Sequence, residues 1–252
     1  MIIKNCSDLN SLIKQSKLKL KSNKFCIIKD FLNKKDSKKL IKLLKVNFKL
    51  RKDIRISGPF IYGQKDYKRL DIGDSYVNPK FLRFVSFFQW NKDNKKLFKL
   101  INPILNFRNK LCDIKQNEDF TYKIKSQKSK KYVYCDLVRM IQYPSGGGFL
   151  GEHKDKSKYF PKNILNVLVP LSSKRNNKNK ANFNTGGLYY VSNNKKINIE
   201  KYIDVGDLII HNQDVTHGVN SIDPDKSLDL INFTGRTTLN FSIGNFNKKK
   251  IN

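Results

Sequence analysis

The chain changes its hydrophobic period at about residue 132, and that change restricts the fold more than any other feature. From there on, apolar and β-branched residues come in short runs, at 132–143, 165–171, 188–191, 207–211, 228–233 and 237–243. Gly146-Gly147-Gly148, Gly186-Gly187 and Gly206 separate them. Runs of strand length parted by glycine turns belong to a barrel or sandwich, because each strand buries one face and needs a second layer to bury it against.

Upstream the spacing is helical. Leu9, Leu12, Ile13, Ser16 and Leu20 share a face, with Ser7 or Asp8 as N-cap, and residues 25–28 then read as a short strand. Asn33 caps a second helix with the stripe Leu40, Leu43, Leu44 and Phe48. Phe81, Phe84, Val85 and Phe88 are spaced as a third helical face, continued by residues 97–111, with Pro103 as a kink or a fresh start. The stretch 51–79 is broken by Gly58-Pro59, Gly63, Gly73 and Asn78-Pro79, and is expected to be a loop that covers a substrate. Its Tyr67, Arg69 and Asp71 are candidate substrate contacts. Residues 115–131 and 174–184 are polar and read as loops. The expected class is α+β with a mainly β core. A single domain spans 1–252, its N-terminal half (1–131) helical and its core at 132–247.

Composition narrows the partners. A hydrophobic fraction of 38% with 12% aromatics in 252 residues implies a packed interior rather than disorder. The net charge of +30, from 51 basic and 21 acidic residues, would draw phosphate-rich partners. Only eight of the 51 are Arg, however, and the lysines run the whole length beside abundant Asn and Ile. The charge therefore reads as a composition bias, and nucleic acid is not the expected partner. Cys6, Cys26, Cys112 and Cys135 form no C-x-x-C pair and read as free thiols of a reducing cytoplasm. The N-terminus has no apolar signal region, and no apolar run approaches the ~18 residues of a membrane span, so a cytoplasmic location is expected.

Two of the three histidines carry the chemistry. Residues i and i+2 on a strand point the same way, so His153 and Asp155 present an imidazole and a carboxylate to one metal ion, with His217 arriving from a later strand. Two imidazoles and one carboxylate leave one face of an octahedron open, which suits Fe(II) binding a chelating co-substrate together with O₂. A His-x-Asp is cheap in composition terms, and its company strengthens it. Tyr143-Pro144 and three glycines precede His153, and Gly206-Asp207 opens the strand before His217. Arg236 and Thr238 share a face of the last strand, where a guanidinium and a hydroxyl grip one carboxylate. Arg139 alternates with Ile141 and Tyr143 and is a candidate contact for an anionic substrate, with a structural ion pair as the alternative. His211 reads as structural rather than as a ligand.

Together, Tyr143, the glycines, His153-Lys154-Asp155, Gly186-Gly187, Gly206-Asp207, His217-Gly218-Val219 and Arg236-x-Thr238 resemble the Fe(II)/2-oxoglutarate-dependent dioxygenase superfamily, in its prolyl-hydroxylase-like branch. The resemblance covers residues 132–247 and implies a double-stranded β-helix, or jelly roll. It implies that His153, Asp155 and His217 hold iron, that Arg236 and Thr238 hold the distal carboxylate of 2-oxoglutarate, and that Tyr143 bonds the co-substrate. It also implies hydroxylation of a C–H bond in a small molecule or peptide, with O₂ consumed and 2-oxoglutarate split to succinate and CO₂. The spacing from His217 to Arg236 departs from the compact members, with Ile222-Asp223-Pro224-Asp225-Lys226 as an insertion. Two alternatives stand beside this reading: an oxidative demethylase acting on nucleic acid, and a non-enzymatic cupin-like metal-binding barrel. The substrate and the oligomeric state are not legible.

Overall fold

The computed structural model describes residues 1–5, 8–54, 60–75, 78–124, 131–155, 164–174, 182–192 and 194–248. Among these residues three α-helices, α1 (Leu9–Asn23), α2 (Lys34–Leu50) and α3 (Lys95–Leu111), accompany fourteen strands. In the N-terminal half the strands are β1 (Ile2–Lys4), β2 (Phe25–Lys29), β3 (Phe60–Ile61), β4 (Tyr67–Ser75), β5 (Asn78–Phe87) and β6 (Thr121–Tyr122). Then come β7 (Tyr132–Tyr143), β8 (Gly148–His153), β9 (Asn166–Pro170), β10 (Gly187–Ser192), β11 (Lys195–Asn198), β12 (Leu208–His211), β13 (His217–Ile222) and β14 (Arg236–Asn247).

The main path of pairing runs β1-β2-β12-β9-β14-β7-β5-β8-β13-β10-β11. Seven strands separate β2 from β10 on this path, yet Phe25 of β2 stacks on Tyr190 of β10 with ring centroids 4.4 Å apart. The sheet is therefore folded over on itself, and the result is a double-stranded β-helix. Side chains alternate across it. Ile27, Leu82, Phe84, Leu168 and Ile209 point inward to meet Leu188, Tyr190 and Val219 of the opposite layer. Cys26, Ile28, Val85, Phe87, Val138, Met140, Val167 and Ile210 point outward against Leu12, Leu44, Ile101 and Ile104 of the helices. Each such aliphatic side chain contributes about 1.5–3 kcal/mol by leaving water.

The helices follow their sequence signals. The Asp8 carboxylate caps α1 by accepting from the backbone of Asn10 and Ser11, and Asn33 caps α2 by accepting from Asp36. Helix α3 runs through Pro103 without ending. Cys26, Cys112 and Cys135 are free, whereas Cys6 lies outside the described residues. No helix among the described residues is long and apolar enough to cross a membrane.

Three expectations are corrected. Residues 78–87 form strand β5 rather than a helix, and β5 joins β7 to β8, so the N-terminal half is not simply helical. Its spacing misleads because both faces are buried: Leu82 and Phe84 face the barrel interior while Val85 and Phe87 face the helices, and a strand buried on both sides loses its alternation. Residues 67–75 of the expected loop are strand β4, paired with β5, while residues 55–59 and 76–77 lie outside the described residues. Residues 228–233 form no strand. Ile231 is 87% exposed, and Asp229 accepts from the backbone of Ile231 and Asn232, which is turn chemistry. Of the polar excursion at 174–184, residues 175–181 lie outside the described set.

The supposed insertion after β13 is a clamp. Asp223 accepts from the backbone of Asn184 at 2.7 Å and of Thr185 at 2.8 Å, from the Ser145 hydroxyl at 3.0 Å and from Lys226 Nζ at 2.7 Å. One carboxylate thus joins three loops. Burial alone would raise its pKa, but these four donors outweigh it and hold the group at about 2, below the ordinary 3.8. Because the folded value is depressed, its contribution is present above pH 3.8 and is lost as pH falls towards 2. Asp223→Ala should destabilise the protein by about 2 kcal/mol through two orphaned backbone donors, and should remove that part of the acid dependence. Thermal melts of both proteins across this pH range check it.

Candidate active site

The site is assembled by one strand pairing. His153 ends β8 and His217 begins β13, and the two lie directly opposite in register, with ring centroids 4.3 Å apart. Asp155, two residues beyond β8, reaches back between them. Its Oδ1 is 3.5 Å from His153 Nε2 and its Oδ2 is 3.5 Å from His217 Nε2. One ligand atom from each of the three residues falls within 4.8 Å of the others, a spacing that one metal ion can bridge.

The tautomers are set by the backbone. His153 Nδ1 lies 2.9 Å from the Gly151 carbonyl and His217 Nδ1 lies 3.1 Å from the Val215 carbonyl. A carbonyl only accepts, so each Nδ1 carries a proton, which leaves Nε2 as the nitrogen that each ring turns toward Asp155 and can offer to a metal ion. Burial would raise the Asp155 carboxyl, but hydrogen bonding to His153 and the other imidazoles outweigh it and hold it far below the usual range. Burial lowers His217 more than Asp155 raises it; at His153 the Asp155 contact wins over burial and the pKa rises. The donor set, two imidazoles and an ionised carboxylate, fits a divalent metal ion.

Two neighbours were not foreseen. Asn166 Nδ2 donates to Asp155 Oδ2 at 2.7 Å and so fixes the carboxylate from behind. His211, expected to be structural, lies with its Nε2 3.8 Å from Asp155 Oδ2 and its ring 4.8 Å from that of His217. Burial, and then the adjacent His217, push its pKa down to about 3, so it stands there as a neutral ring. It belongs to the wall of the site but not to the ligand cluster.

These groups open on one cavity of about 240 Å³. Tyr143, Arg236 and Arg139 also line it, as does Asp71. Arg236 lies opposite Tyr143 in register, with its guanidinium 5.7 Å from the centre of that ring, and burial pushes the Tyr143 phenol up to about 12, so it remains a neutral donor. Arg236 Nε donates to Glu200 Oε1 at 2.5 Å, and both side chains are buried. Sequence reasoning missed Glu200, although Gly186-Gly187 marks its place: a Cβ on Gly187 would lie 2.2 Å from Glu200 Cγ. Thr238 faces inward as expected, but its hydroxyl donates to the Val169 carbonyl at 3.1 Å and it is not on the cavity wall. Of the candidate substrate contacts, Tyr67 is buried against Phe84 and Phe88, and Arg69 pairs with Asp71 at 2.6 Å.

The fold defines a class. No family model matches the sequence, and no curated protein matches it. Among solved structures, a Pseudomonas putida prolyl-4-hydroxylase aligns over 96% of this chain and 100% of its own, with a TM-score of 0.55 at 10% identity. The non-heme alpha ketoglutarate dependent epimerase of nogalamycin biosynthesis aligns over 93% of this chain and 83% of its own, with a TM-score of 0.53 at 10% identity. At such identity the likeness is one of fold alone, the double-stranded β-helix that this chain shares with those two structures.

The Glu200–Arg236 pair supplies a test of how this wall is held. Glu200→Ala leaves a buried guanidinium without its counter-charge and should cost about 3 kcal/mol, read as a lowered midpoint in urea unfolding.

Proposed function

We propose that this chain is an Fe(II)- and 2-oxoglutarate-dependent oxygenase that hydroxylates a C–H bond of a small molecule or peptide. One observation carries the reading: His153, Asp155 and His217 turn two Nε2 atoms and a carboxylate to a single point on the wall of a cavity whose opposite strands carry Arg236 and Tyr143. In this reading the three residues hold iron, and Arg236 receives the distal carboxylate of 2-oxoglutarate, with the Tyr143 phenol as a further donor. Bound iron with its co-substrate supplies the oxidising chemistry, in which one atom of O₂ enters the C–H bond and the other enters succinate as CO₂ leaves. The chain's own residues orient and seclude. Asn166 holds Asp155 in place, Glu200 fixes the Arg236 fork, and the walls of Leu150, Leu168, Leu188 and Val219 keep water from the reacting carbon. A cavity of about 240 Å³ is smaller than the ~300–1,000 Å³ usual for drug-sized ligands, which favours a small acid or one peptide side chain.

Incubation with Fe(II) and 2-oxoglutarate should yield succinate, and equilibrium dialysis should show one iron site that disappears in His153→Ala and Asp155→Ala. Arg236→Ala should raise the 2-oxoglutarate requirement about 10- to 100-fold, the loss of a charge-assisted contact. Absence of both iron binding and succinate would leave a non-enzymatic barrel.

A further inference from the structure

We propose that Arg139 is the anchor for a carboxylate on the substrate itself, at a subsite separate from the one that takes 2-oxoglutarate. The proposal rests on the oxygenase reading above. Arg139 lies on the inner face of β7, directly opposite Asn240 of β14, and both residues line the cavity that the metal triad opens on. Tyr143 and Arg236 form the corresponding pair four residues along the same two strands, about 13 Å away. The two cationic positions are therefore distinct.

Arg139 differs from the other described arginines in lacking a counter-charge. Arg51 pairs with Asp66, Arg69 with Asp71, Arg83 with Asp53, Arg108 with Asp136 and Arg236 with Glu200. Arg139 pairs with no carboxylate among the described residues. Its Nε is buried without an acceptor, and the amide oxygen of Asn240 is buried without a donor. Arg51 and Arg83 also bury an Nε without an acceptor, but neither lines the cavity; Arg139 and Asn240 face each other on its wall, where a bound group would satisfy both.

The guanidinium is also held still. Phe60 lies 5.2 Å from it and Phe84 4.8 Å, measured to the ring centres, and the guanidinium donates a hydrogen bond to the Tyr67 phenol. The two phenylalanine faces fix the plane of the fork, and the phenol takes only one of its N–H groups, so others are left for a ligand. On this wall Arg139 and Lys80 stand beside Asp71, which is already paired with Lys80 and with Arg69, so the Arg139 charge is left over. A planar, preset fork whose own charge is unpaired matches one carboxylate, which accepts two parallel N–H bonds. The substrate class is a small carboxylic acid or amino acid, oriented by its carboxylate with the C–H bond to be oxidised turned to the metal.

The test uses the full chain loaded with Mn(II), which does not turn over, and saturated with 2-oxoglutarate so that Arg236 is occupied. A panel of short carboxylic acids and free amino acids is compared with the matching primary amides. Calorimetry reads affinity, and Mn(II)-induced broadening of ligand proton signals reads closeness to the metal. At least one acid should bind and broaden while its amide does neither. Arg139→Gln should weaken that acid at least tenfold, with Arg139→Lys in between. Equal behaviour of acids and amides, or an unchanged affinity in Arg139→Gln, overturns the proposal. If Arg139→Gln does not fold, the acid and amide comparison on the unaltered chain decides alone. Failure of the oxygenase reading shows separately, as loss of Mn(II) and 2-oxoglutarate binding before any acid is added; calorimetry on the metal-free chain then still reads the acid preference.

Discussion

The antiparallel pairing of β7 with β14 holds the site and the core to a single register. Twelve residues of each strand pair without interruption, from Arg236 opposite Tyr143 to Asn247 opposite Tyr132. On the inner face this sets Arg236 beside Tyr143 and Asn240 beside Arg139; on the outer face it sets Leu239 beside Met140 and Phe241 beside Val138. A slip of one residue would exchange the faces, turning Leu239 and Phe241 into the polar cavity and the arginines into the packing of the helices. The apolar outer face therefore fixes where the polar inner groups must stand. The stability of the fold and the placement of the chemistry rest on the same hydrogen-bond ladder.

The metal triad depends on a shorter version of the same device. His217 and His153 are brought together by pairing across β8 and β13, and the backbone carbonyls of Gly151 and Val215 then choose which nitrogen of each ring carries the proton. Nothing beyond local strand geometry is needed to present the two lone pairs.

The sequence made these parts legible to different degrees. Residues 132–143 read correctly to the residue, because Lys130-Lys131 precede the run and Pro144 follows it, which marks both ends. His153, Asp155 and His217 were legible because their spacing and their glycine turns are local properties. β5 was not, since a strand packed on both faces imitates helical spacing. His211 was read as structural rather than as a ligand and stands outside the ligand cluster, but its place on the cavity wall was not legible. It shares a face with Ile209, which is legible, but which face of β12 turns to the cavity depends on the partner strands. Asn166 and Glu200 had no signal in their own flanking residues: the one matters through Asp155, eleven residues away, and the other through Arg236, thirty-six away. Contacts of that range exist only once the barrel has closed.

The chain carries two populations of charge. Arg108 with Asp136, Arg236 with Glu200 and Lys29 with Asp207 are pairs with at least one partner sealed from water, whereas the lysines of α1 and α2 lie on exposed faces and supply much of a net charge of +30. Ionic strength reaches only the second population, because the Debye length of about 8 Å at physiological salt describes screening through solvent. Mutual repulsion among those lysines opposes compaction, and salt relieves it without loosening the internal pairs. The barrel is thus built to tighten as salt is added, while the long-range pull it exerts on approaching anions fades.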